Sequence, residues 1–177
     1  MPLATQHLQH SMTMVGNRST MTGLISPARL RVSGFILRGD QVAVVEFFTD
    51  QLGRHYNLPG GGLDPGESLR DGARRECLEE IGCDVTVGRL LMVAEYFPSR
   101  NRGTYDDQHV IDFIFECTLA NGQEPHLPDV PDEDQTDAKW IPISALPQAF
   151  FKPEVADWLV QRTRLSNDDS FFEDAWL

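Results

Sequence analysis

The chain has 177 residues, 41% of them hydrophobic, which is enough for one domain with a substantial core. Fifteen basic and 27 acidic side chains give a net charge of −12, which argues against nucleic acid or an anionic membrane surface as a main partner. No apolar run approaches the ~18 residues of a membrane span. Cys77, Cys83 and Cys117 form no Cys-x-x-Cys pair, and no signal-peptide hydrophobic core precedes them, so a reduced, cytoplasmic setting is expected.

Residues 1–22 are rich in Ser, Thr, Gln, Met and His without periodicity, and are expected to form a mobile tail. Residues 23–165 form the expected domain. Arg29–Leu37 and Gln41–Phe48 are rich in β-branched and aromatic residues and read as strands, with Arg38-Gly39-Asp40 as the hairpin turn between them. Arg54–Leu58 reads as a third strand. It runs into Pro59-Gly60-Gly61-Gly62, where the glycines are expected to allow positive φ and close approach of backbone to a ligand. Asp64-Pro65-Gly66 is a tight turn.

Ser68 as N-cap and Gly82 as C′ residue bracket a helix of about 13 residues. With Glu76 at the origin, Glu79 falls at about 300° and Glu80 at about 40°, so three carboxylates share one arc. Ala73, Cys77, Leu78 and Ile81 fall in a separate arc expected to be buried. Like charges so close repel one another, and a divalent cation offsets that cost. Oxygen donors without His or Cys on that face point to Mg²⁺ or Mn²⁺. Gly72 lies one turn before the acids, where its missing side chain either leaves room for metal or substrate or is simply tolerated.

Asp84–Phe97 is expected to give one or two strands, and His109–Leu119 another, closed by a turn at Asn121-Gly122. Lys139–Ile141 reads as a short strand, and Ser144–Phe150 and Pro153–Leu165 as helical. Residues 166–177 combine acids with Phe171, Phe172 and Trp176, an acidic and aromatic tail. Strands on both sides of a central helix, with further helix late in the chain, predict an α/β/α sandwich around a mixed sheet.

The stretch from Gly61 to Cys83, GGLDPGESLRDGARRECLEEIGC, resembles the Nudix box, Gly-x5-Glu-x7-Arg-Glu-U-x-Glu-Glu-x-Gly-U with U bulky and apolar. Every glycine and charged position matches, and Cys77 and Cys83 occupy the two U positions. The resemblance covers about residues 29–160. It implies the Nudix fold and Mg²⁺- or Mn²⁺-dependent hydrolysis of a nucleoside diphosphate linked to another moiety. It implies that Glu76, Glu79 and Glu80 are metal ligands and catalytic carboxylates, with Gly61 offering a carbonyl to the metal, and that Glu67 and Arg75 brace the loop on the helix. The family often places a further base or ligand before the late Trp-containing strand, and there Glu133 is the first candidate and Asp134 the second.

Pro98 lies close to where the ADP-ribose branch of the family carries a proline. ADP-ribose or a related nucleoside diphosphate sugar is therefore the favoured substrate, with Arg100 and Arg102 as candidate phosphate contacts, Tyr96 or Phe97 as a candidate base-stacking ring, and Arg54 as a further candidate substrate contact. A house-cleaning nucleoside triphosphate pyrophosphohydrolase stays open as an alternative, as do a non-catalytic nucleotide sensor and a homodimer. The expected partner is a small nucleotide.

Overall fold

The computed structural model describes residues 27–97, 108–120, 122–149, 153–162 and 171–173. Strand β1 (Arg29–Arg38) turns at Gly39, which holds φ +63, into antiparallel β2 (Gln41–Thr49). Strand β3 (Gly53–Asn57) pairs with β2, and β4 (Gly60–Gly62) pairs with β1. Helix α1 (Leu69–Ile81) follows, then β5 (Val85–Tyr96), a single strand with irregular register near Leu90. Strand β6 (Val110–Leu119) pairs with β5 and runs parallel to β1 at the centre of the sheet. Strand β7 (Gln135–Pro142) adds to β2 and is longer than Lys139–Ile141, because the alternating residues from Gln135 onward also find partners along β2.

A turn of 3₁₀ helix at Ile143–Ala145 leads into α2 (Leu146–Ala149), and α3 (Pro153–Arg162) comes next. Strand β8 (Phe171–Glu173) lies inside the segment expected to be a tail, and pairs in parallel with Val93–Glu95 of β5. The sheet order is β3-β2-β1-β6-β5-β8.

Each face of the sheet carries a core, as alternation along the strands requires. On one face Val32, Ile36, Ala43 and Val45 pack with Ala73, Cys77 and Ile81 of α1. On the other, Val42, Val44, Met92 and Ile114 pack with Leu146 of α2 and Leu159 of α3. The result is the expected α/β/α sandwich, with α1 alone on the first face among the described helices. Cys77 stands where a larger apolar residue would collide with β1: a Cβ at Gly34 would already lie 2.5 Å from its sulfur.

The glycine segment departs from expectation. Gly60, Gly61 and Gly62 form a strand and none has positive φ. Their small size serves close packing. A Cβ on Gly60 would lie 2.3 Å from the Val32 carbonyl oxygen, and one on Gly61 would lie 2.4 Å from the Glu76 carboxylate. Of the two readings of Gly72, room for metal or substrate is not what the structure has, since Leu63, Glu67 and Val32 press against that position at 2.6, 3.0 and 3.1 Å from where a Cβ would stand. Glycine there admits the loop and the strand, leaving no gap for metal or substrate.

Candidate active site

Helix α1 is held at both ends as its sequence dictates. The Ser68 hydroxyl accepts a hydrogen bond from Asp71 N at 3.2 Å, and Gly82 ends the helix at φ +64. Between them the buried stripe runs Gly72, Ala73, Glu76, Cys77, Glu80 and Ile81. The helix therefore turns its acids further inward than the apolar pattern predicts. Glu76 and Glu80 are 8% and 6% exposed, while Leu78, expected in the core, is 52% exposed. The cause is β4, whose side-chain-free backbone covers the acidic flank and lets two carboxylates sit beneath it.

Glu80 accepts a hydrogen bond from Gly60 N at 2.6 Å. Burial pushes its carboxyl up to about 8, against the Arg31 guanidinium and the Gly60 N–H, while Glu76 and Asp132 push it further up. Burial also raises Glu76, opposed by Arg75 and Arg31. Two acids are thus packed where their ionised forms are poorly solvated and only partly balanced by cations.

Arg75 organises the surrounding charges. Its Nε and Nη2 donate to the two Glu67 oxygens at 2.9 Å each, a bidentate pair. Nη2 also donates to the Gly62 carbonyl at 2.9 Å, and Nη1 donates to Glu76 and Glu79 at 2.8 Å each. Glu67 in turn accepts from Asp64 N at 3.1 Å. The arginine pairing lowers Glu67 and raises Arg75 further above its ordinary value. One guanidinium therefore ties the loop, β4 and the helix together. Glu79 reaches the same cation from the exposed side, with its side chain 58% exposed.

Glu76, Glu79 and Glu80 are hard oxygen donors concentrated at one end of α1, which fits Mg²⁺ or Mn²⁺. The first two are drawn to Arg75, and among the described residues no three His, Cys, Asp or Glu side chains converge as they stand on a point that could hold a metal ion. The inward carboxylates nevertheless suit a divalent cation, because it would offset the burial of their ionised forms. Gly61 sits directly over Glu76.

The loop before β7 is arranged differently from expectation. Asp132, Glu133 and Asp134 are all exposed, and Asp134 takes the left-handed conformation at φ +64. Asp132 is the loop acid whose charge reaches Glu80. Gln135 sets this geometry: its Nε2 donates to the Glu80 carbonyl at 2.7 Å and its Oε1 accepts from Asp132 N at 3.1 Å. Three acids in succession gave no means of choosing among them from spacing.

Of the candidate substrate contacts, Arg54 is 67% exposed with Nε 3.6 Å from Glu46. Glu46 is itself held down in pKa, because hydrogen bonds from Lys139, Tyr56 and Thr136 outweigh its burial. Tyr96 is 2% exposed, which withdraws it from the role of an open stacking face. Pro98, Arg100 and Arg102 lie outside the described residues. Arg31 was not among the site candidates, yet its charge is felt at Glu76 and Glu80. Arg31 pairs along β1 with Gly62 on one side and with Asp112 on the other.

The profile of the NUDIX domain matches residues 27–159. Nudix hydrolase 18, mitochondrial, of Arabidopsis thaliana is 28% identical over 151 residues, which cover 84% of this chain and 80% of that protein. Nucleoside triphosphatase NudI of Escherichia fergusonii is 33% identical over 70 residues, 37% of this chain, and the match spans only half of that relative's length. An ADP-ribose pyrophosphatase structure from Streptococcus suis superposes with a TM-score of 0.58 at 20% identity, covering 82% of this chain and 98% of that one, which is a likeness of fold. Among the described residues no helix is long and apolar enough to cross a membrane.

Proposed function

The chain belongs to the Nudix hydrolase family, and on that premise we propose that it is a divalent-metal-dependent pyrophosphohydrolase. Its proposed substrate is a nucleoside diphosphate linked to another moiety, with ADP-ribose or a related nucleoside diphosphate sugar favoured. The observation that carries this reading is the pair of buried carboxylates, Glu76 and Glu80, packed under a strand of glycines and braced by Arg75.

In this reading Glu76, Glu79 and Glu80 hold Mg²⁺ or Mn²⁺ together with backbone from Gly61. The metal supplies charge neutralisation on the diphosphate and acidifies a water molecule. The chain's own residues do the rest. Arg75 and Glu67 fix the loop so that Gly60 and Gly61 stay against the acids. Asp132, whose charge reaches Glu80, is the carboxylate we assign to accept a proton, while Glu79 stays a metal ligand on the open side of Arg75. Asp132 takes the part first given to Glu133, since Gln135 ties it toward α1. Cys77, Cys83 and Cys117 are buried free thiols.

A nucleoside triphosphate pyrophosphohydrolase is the second reading, favoured by the name of the Escherichia relative. Phosphate-coupled turnover with Mg²⁺ across ADP-ribose, a nucleoside diphosphate sugar, NADH, a dinucleoside polyphosphate and oxidised dGTP separates the two. A dominant diphosphate-linked substrate supports the first reading and a dominant triphosphate the second. Binding of nucleotide without turnover of any of them would replace both with a sensor.

A further inference from the structure

Arg31 is a cation whose hydrogen-bonding capacity is unspent. Its side chain is 27% exposed, and its Nε lies 3.5 Å from Asp112 Oδ2, too long for a well-made hydrogen bond. A guanidinium carries five N–H donors, and among the described residues none of those of Arg31 makes a hydrogen bond. Asp112 is better held. The Ser33 hydroxyl, 1% exposed, lies 2.9 and 3.0 Å from the two Asp112 oxygens and donates to that carboxylate. Ser33 thus fixes Asp112, and Asp112 keeps Arg31 turned toward it.

The register places this group one residue along from the strand position that covers Glu76. Gly62, the neighbour of Arg31 along β4, is next to the glycine that covers Glu76, and the charge of Arg31 is felt at both Glu76 and Glu80. Alternation along β1 puts Arg31 and Ser33 on the face that carries Phe35, away from α1. A ligand lying over Arg31 would therefore sit on the opposite side of the sheet from the helix and meet the carboxylates past the edge of β4.

We propose that Arg31, set by Asp112 and Ser33, is the phosphate anchor of this site, its guanidinium gripping the diphosphate of the substrate beside the buried carboxylates. A guanidinium fork matches phosphate oxygens in pairs, and the neighbouring acids would otherwise repel such an anion. Asp112 acts as a positioning residue through Arg31. This rests on the pyrophosphohydrolase reading.

The test uses the full chain with Mg²⁺ and α,β-methylene-ADP, a nucleoside diphosphate resistant to cleavage at its bridge, with binding followed by calorimetry. Arg31→Met should weaken that binding by about tenfold to a hundredfold, the loss of one or two charge-assisted hydrogen bonds, and Arg31→Lys should recover part of it. Mg²⁺ affinity measured alone should stay within about threefold in both variants, and Asp112→Asn should fall between wild type and Arg31→Met. Unchanged binding in Arg31→Met, or equal losses in nucleotide affinity, Mg²⁺ affinity and thermal stability, would overturn the anchor. If the wild type turns over nothing in the substrate panel, the pyrophosphohydrolase reading itself has failed. Turnover by the wild type with an indifferent Arg31→Met defeats the anchor alone.

Discussion

The backbone N–H of Gly60 donates to the Glu80 carboxylate at 2.6 Å, joining the strand that opens the motif to the helix that closes it. A side chain on either covering glycine should therefore act on the site by a different route. At Gly60 the obstacles are mostly backbone, the Val32 carbonyl at 2.3 Å and the Ser33 Cα at 2.7 Å, with the Ser33 hydroxyl at 2.5 Å. Gly60→Ala should destabilise the fold by roughly 1–3 kcal/mol in urea denaturation. At Gly61 the obstacle is the flexible end of Glu76. Gly61→Ala should cost less than about 1 kcal/mol yet lower Mg²⁺ affinity and turnover by about tenfold or more, because the carboxylate is what moves.

Glu67 and Arg75 should behave as one unit. Their bidentate pair, with the Gly62 carbonyl on the same guanidinium, sets the shape of the loop. Glu67→Gln and Arg75→Gln should each reduce turnover about 100-fold, and the double variant should lose no more than the worse single one. Additive losses in such a cycle would show two independent roles.

Metal-free stability should fall as pH rises through the range where Glu80 ionises. Its carboxyl titrates near 8 in the fold against an ordinary value of 4.5. The raised value means that the proton favours the folded state. That contribution is fully present below pH 4.5 and is lost as pH rises through 8. In EDTA, Tm should decline between about pH 5 and pH 8, and Glu80→Gln should flatten the slope. A wild-type Tm that is level or rising across this range contradicts the burial of an ionisable Glu80.

Asp132→Asn and Glu133→Gln should separate cleanly. Both are exposed, but the backbone N–H of Asp132 is held by Gln135, which also holds the Glu80 carbonyl, and the charge of Asp132 reaches Glu80. Turnover should drop about tenfold to 100-fold in the first and stay within about threefold in the second. The reverse order would return the role to Glu133.

Leu78→Gln tests how the helix is rotated. With Leu78 52% exposed, the change should alter stability by no more than ~0.5 kcal/mol in urea denaturation. Ile81, three residues on, is fully buried, and Ile81→Ala should cost roughly 2–5 kcal/mol by the same measurement.

Much of this could be read from the chain before any coordinates. The caps at Ser68 and Gly82, the β-branched and aromatic content of β1 and β2 and the alternation in β6 arise from local rules, whereas the partnership of Glu67 with Arg75 is implied by the resemblance to the family's motif. What escaped depended on partners distant in sequence. The helical wheel could place Glu76 and Glu80 on one arc, but it could not show that β4 would cover that arc and leave Leu78 outside. Gly60–Gly62 suggested left-handed turns because glycine permits them, whereas the requirement came from Val32, Ser33 and Glu76. Arg31 and Asp112 are far apart in the chain and meet only because β1 and β6 run side by side. Asp132 stood unmarked among neighbouring acids, because what sets it apart is a backbone bond to Gln135 and a charge that reaches Glu80.

The central claim is that the buried carboxylates of α1 support metal-dependent cleavage of a diphosphate linkage. The most direct measurement is mass-resolved product formation from ADP-ribose with Mg²⁺, comparing the wild type with Glu80→Gln. The account predicts AMP and ribose 5-phosphate from the wild type, none in EDTA, and a loss of at least about 100-fold in the variant. Equal turnover by Glu80→Gln, or turnover that persists in EDTA, would contradict it.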